Sequence, residues 1–203
     1  MTSQQNNSEQ TNDQGYVNYF AILGLDESAK PGEVRKAYKR NMKNLVNEIA
    51  NTELTEERRS HYLLEMAKLN AALYILRDTK LRDAYWRERQ ELIELEERWR
   101  EAEESGDKEA DNLRRQYDGR LRNFLARYME ELMLEAGRDK ECVEASNWDA
   151  AHERHASRLL RFYRQSLHQQ ILERLPYFDL SPVEIDWEER KQTAAALLER
   201  NGA

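Results

Sequence analysis

Apolar residues recur along most of this chain at three- and four-residue spacing, the pattern of helices that bury one face. A short apolar element, Tyr19-Phe20-Ala21-Ile22-Leu23, comes first, with Gly24 as its stop. Pro31 then opens a second helix from its first turn, where a missing N–H costs nothing. Its inward positions are Val34, Ala37, Tyr38, Asn41, Met42 and Leu45, and Arg35, Lys36, Lys39, Arg40 and Lys43 lie on the opposite face. A loop is expected from Asn47 to Leu54. Thr55 is the expected cap of a third helix with the stripe Leu63, Met66, Leu69, Ala72, Leu73, Leu76.

From Leu81 a coiled-coil-like seam follows through Tyr85, Glu88, Leu92, Leu95, Trp99 and Ala102, with Glu88 as its flaw. After a turn at Ser105-Gly106-Asp107, one helix is expected from Leu113 through Tyr117, Leu121, Phe124, Tyr128 and Leu132 to Gly137, paired antiparallel with the seam helix. Ser146-Asn147-Trp148-Asp149 signals another, running through Ala151, His155, Leu159, Phe162, Leu167, Ile171 and Leu175 to Pro176. The tail offers two starts, at Ser181 and at Asp186, and from either one Trp187, Ala194, Leu197 and Leu198 are expected to dock on the bundle. Residues 1–15 are polar and featureless and read as a disordered tail.

Composition strengthens the helical reading. The 203 residues include only 3 Pro and 7 Gly, and no Pro falls between Gly32 and Leu175, which predicts an all-α protein. The glycines never approach the spacing of phosphate-binding loops. With no apolar stretch near the ~20 residues that cross a bilayer, no membrane partner is expected. A lone Cys142 and the absence of a secretory pattern point to the cytoplasm. Formal charge is -7, so bulk attraction to nucleic acid is not expected.

Three segments in order resemble the J domain of DnaJ-type co-chaperones: Asn18 to Leu25, Glu33 to Arg40, and Leu69 to Asp78 closing on Arg82-Asp83-Ala84-Tyr85. The resemblance divides the chain into a J-like helical hairpin domain at 16–86 and a C-terminal helical bundle of long antiparallel helices at 87–203. It also implies that the basic face of the second helix, Arg35, Lys36, Lys39, Arg40 and Lys43, would meet an Hsp70 partner. The family's His-Pro-Asp trigger is missing. Val46-Asn47-Glu48 stands at the equivalent positions, and no other His-Pro-Asp exists in the chain.

The C-terminal helices weakly resemble HscB-type iron–sulfur co-chaperones, through Glu91 to Leu95, Asn147 to Ala151 and Arg158 to Phe162. By that resemblance Ile93 and Phe162 would form a client-facing patch.

Other chemistry is less well supported. Asp149, His152 and His155 share one helical stripe and are potential metal ligands, but nothing in Leu113 to Ala136 supplies a facing set and Cys142 is expected in a loop, so no metal and no cofactor is expected. The arginines Arg154, Arg158, Arg161 and Arg164 suit phosphates, yet neighbouring acidic helices can pair with them. The run Glu94, Glu96, Glu97, Glu101, Glu103 and Glu104 reads as a solvated face or a docking surface for a basic partner. No strained nucleophile turn is visible. The expected function is therefore a non-enzymatic, protein-binding adaptor or scaffold. The alternative is an Hsp70 co-chaperone or regulator, HscB-like in cluster assembly. A homo-oligomer is left open.

Overall fold

The computed structural model describes residues 17–50 and 54–175, together with Trp187 and Lys191. The secondary structure among them is helical, with no strand: α1 (Tyr19–Leu23), α2 (Pro31–Ile49), α3 (Glu56–Leu76), α4 (Thr79–Ser105), α5 (Ala110–Leu125), a π-helical stretch (Ala126–Glu131), α6 (Leu132–Ala136), α7 (Lys140–Ser146) and α8 (Ala150–Glu173).

Local chemistry sets most of the helix ends. The Asn18 side chain accepts from the backbone N–H groups of Phe20 and Ala21, and Gly24 ends α1 in the left-handed region at φ 66°, which favours glycine. Pro31 occupies the first turn of α2, and the Glu33 carboxylate accepts from the Lys30 N–H at 2.7 Å. Thr55 caps α3 through the Arg58 N–H, as its sequence position predicts. Within Ser146-Asn147-Trp148-Asp149, Asp149 is the cap of α8, while Ser146 closes α7.

The helix α3 is the centre of the molecule, packed by α1, α2, α4, α6, α7 and α8. The expected stripe from Leu63 to Leu76 is buried, but so are Ala67, Asn70, Ala71 and Ile75, because partners surround the helix instead of covering one face. One apolar cluster runs from Val17 to Leu175. The expected boundary between residues 86 and 87 falls inside α4, so neither the helix nor the core breaks there.

The helices α4 and α5 pair as a hairpin across Gly106. Tyr85, Leu92, Leu95, Trp99 and Ala102 are buried, whereas Leu81 is exposed, so the seam starts one step later than its spacing implies. Glu88 escapes to the rim and meets Arg127 at 2.7 Å. Arg89 takes the buried place beside it, with its guanidinium over the Trp86 ring.

The single helix expected from Leu113 to Gly137 is interrupted by the π-helical stretch. The reason is tertiary. The Tyr19 hydroxyl donates to the Tyr128 carbonyl inside that stretch, and an inserted side-chain bond of this kind accompanies a departure from the α-helical ladder. Tyr85 completes the junction, donating from its hydroxyl to the Val17 carbonyl and accepting from the Tyr19 N–H. Burial raises the Tyr19 phenol well above its ordinary pKa, which keeps it a donor.

Three further expectations are corrected. Cys142, expected in a loop, is buried on α7, where desolvation pushes its thiol up and makes it unreactive. The second helix runs to Ile49 and absorbs the start of the expected loop, since no proline stops it. On α8 the inward face is Ala156, Leu160, Ile171 and Leu172, while Ala151, His155 and Phe162 face solvent. The tail at 1–15, both proposed C-terminal helix starts, and Ala194, Leu197 and Leu198 lie outside the described residues. Trp187 is exposed.

Candidate interaction surfaces

Arg35, Lys36, Lys39, Arg40 and Lys43 are all exposed along α2, so the expected basic face exists as a surface. Its flank is engaged by the rest of the chain, because the Arg35 Nε lies 3.0 Å from Glu141 of α7. Exposed pairs of this kind are worth ~0–1 kcal/mol. Lys36, Lys39, Arg40 and Lys43 make no ion pair with any described residue, and Arg40 only donates to the Asn41 side chain.

The Val46-Asn47-Glu48 position lies in the last turns of α2, with Val46 half-buried and the other two exposed. The backbone there is helical. A proline at the middle position would remove its N–H and clash with the preceding turn, so its absence explains why the helix continues.

The two residues of the proposed client patch do not share a surface. Ile93 is buried in the α4 core, whereas Phe162 stands 70 % exposed on α8. Ile93 cannot be a surface anchor, because its place in the seam turns it inward with Leu92.

Asp149 and His152 are consumed by the α8 cap. The Asp149 carboxylate accepts from the Ala151 and His152 N–H groups, and the His152 Nδ1 accepts from the Asp149 N–H at 3.1 Å. The His152 backbone bond is the leading reason why the Asp149 carboxyl titrates below its usual range. His155 is exposed one turn further on. Arg161 and Arg164 both reach Glu130 at 3.3 Å, while Arg154 and Arg158 carry no such partner among the described residues. In the acidic run, Glu96 pairs with Arg100, and Glu94, Glu97, Glu101, Glu103 and Glu104 are exposed.

Two arrangements escape sequence reasoning. The first is a buried polar network in which the Tyr38 hydroxyl donates to the Asn70 Oδ1 at 2.8 Å. The Asn70 amide donates to Ser146, and Ser146 donates to the Cys142 carbonyl. This network fastens α2 and α3 to α7. An asparagine inside an otherwise apolar run is its only trace in the sequence.

The second is a clamp. Arg77, directly after α3, forms two bonds to Asp139 at 2.9 and 2.6 Å and a third to Glu141 at 2.8 Å. The Arg77 guanidinium holds the Asp139 carboxyl below the usual carboxylate range, and Asp139 in turn caps α7.

Gly137 also proves to be a packing requirement. A Cβ there would stand 2.5 Å from the Nε1 of the buried Trp148 ring.

No family model matches the chain, and no solved structure matches it. The chain is similar to the "Adaptation to cold protein J" of Shewanella oneidensis, being 29% identical over 77 residues. That stretch is 38% of this chain and 81% of the Shewanella protein.

Proposed function

We propose that this chain is a non-enzymatic protein-binding adaptor, built on a J-like hairpin that lacks the Hsp70-activating tripeptide. The observation that carries this reading is the juxtaposition on α2. Lys36, Lys39, Arg40 and Lys43 form an exposed cationic face with no ion pair to a described residue, and the trigger position beside them is continuous helix. A cationic helix face held on a packed body favours recognition of a complementary protein and speeds encounter with it. The trigger position supplies neither an imidazole nor a proline turn.

The second reading, an Hsp70 regulator, is favoured by the same free cations. Its iron–sulfur variant is weakened by the burial of Ile93.

Affinity capture from a cell extract, paired with an Hsp70 ATPase assay, separates the two readings. The adaptor reading expects a protein partner that is lost with Lys39→Glu/Arg40→Glu, and no ATPase stimulation. A several-fold stimulation that the same variant abolishes would establish the co-chaperone instead. Because the Shewanella relative is named for adaptation to cold, extracts from cells grown at low temperature are the place to begin.

A further inference from the structure

A cleft of about 1060 Å³ opens between α8, the end of α2 at Ile49 and the first turns of α3. Ile49, Leu63 and Leu159 give it an apolar floor, and Arg59, Arg154 and Arg158 stand around it. All three arginines are exposed, and none forms an ion pair with a described residue. The contrast lies on the same helix, where Arg161 and Arg164 are both satisfied by Glu130. In a chain of net charge -7, three arginines around one apolar floor with no ion pair to a described residue mark a local excess of positive charge among the lining residues. Glu56 is the single carboxylate among the lining residues.

From this geometry we infer a docking groove for an acidic segment of a partner protein, one that places carboxylates on either side of an aliphatic side chain. Guanidinium groups pair with carboxylates through two parallel hydrogen bonds, which fixes orientation as well as charge. The floor supplies the apolar contact that charge alone lacks. At about 1060 Å³ the cleft has room for several side chains. Phe162 follows Arg158 by four residues on α8 and is exposed, but it does not line the cleft. Single-stranded nucleic acid is the poorer occupant. It binds through aromatic stacking platforms within a broadly positive groove, and here the floor is aliphatic and the surrounding protein is acidic.

The inference rests on the protein-binding reading and gives one partner its chemistry. The test uses the full chain and a fluorescein-labelled peptide of alternating Glu and Leu as probe, followed by anisotropy. Micromolar binding is expected, weakened roughly tenfold by Arg154→Glu/Arg158→Glu and unchanged by Arg87→Glu/Arg98→Glu, which reverses two exposed arginines of α4 away from the cleft. Arg154→Ala/Arg158→Ala serves as the second variant should the charge reversal disturb α8, with a smaller loss expected. Equal weakening by the α4 and α8 variants would mean diffuse charge attraction and overturn the groove, as would tighter binding of an oligouridine probe. Should the peptide fail to bind while extract capture still depends on Lys39 and Arg40, the groove falls and the adaptor reading stands.

Discussion

The helices α3 and α8 have similar lengths, 21 and 24 residues, yet ten residues of α3 are buried and only four of α8. Helix propensity does not separate them. Neighbours do: α3 is enclosed by six helices, and the small side chains of Ala71 and Ala72 admit close packing in its C-terminal half. The helix α8 covers the core with one face and offers Arg154, Arg158 and Phe162 to solvent on another. One helix is therefore enclosed, and the other keeps charged and aromatic side chains at the surface.

The sharpest way to break this contrast is Leu73→Ala in the last turn of α3, where the side chain is 1% exposed. Loss of its packing and the cavity left behind are expected to cost about 2–5 kcal/mol in denaturant unfolding. A loss below about 1 kcal/mol would mean that the surrounding helices collapse onto the gap and that α3 is not the hub.

Arg77→Met probes the tie between the end of α3 and α7, and is expected to cost about 1.5–3 kcal/mol near neutral pH. The sign with pH follows from Asp139, whose folded-state pKa is depressed chiefly by its hydrogen bonds to Arg77. The clamp contributes fully above the ordinary aspartate pKa of about 3.9, and its contribution fades as the pH falls through the depressed value. Unfolding curves of the two proteins should therefore converge only in strongly acidic solution. A difference that is independent of pH would place the effect in packing alone.

The smallest expected change comes from α8. Phe162→Ala should leave stability within about 0.5 kcal/mol, measured by thermal melting, because the ring is 70 % exposed. A larger loss would move Phe162 into the core and erase the distinction between the two helices.

Helix ends were the most legible part of the fold. Gly24, Pro31, Thr55 and Asp149 act on backbone groups within a few residues of themselves, so short words of sequence contain the whole interaction. The basic face of α2 was legible for a related reason, since helical periodicity alone separates it from Tyr38 and Met42. Ile93 was less legible. It lies next to Leu92 in a seam whose inward arc is wide enough to take both, and only the position of α5 and its neighbours shows which flank is covered.

By itself, then, the chain determined an all-helical fold, the main helix starts and the cationic stripe, because each depends on residues within about one turn of one another. Tertiary structure alone decided that Asn70 would organise a buried network, that Arg77 would clamp α7, and that the helix after Phe124 would open into a π-helical stretch for Tyr19. It also left Arg59 of α3 beside Arg154 and Arg158 of α8 without carboxylate partners among the described residues. Their partners, or the lack of them, lie tens of residues away, and the periodicity of one helix carries no record of which side chains a distant helix brings against it.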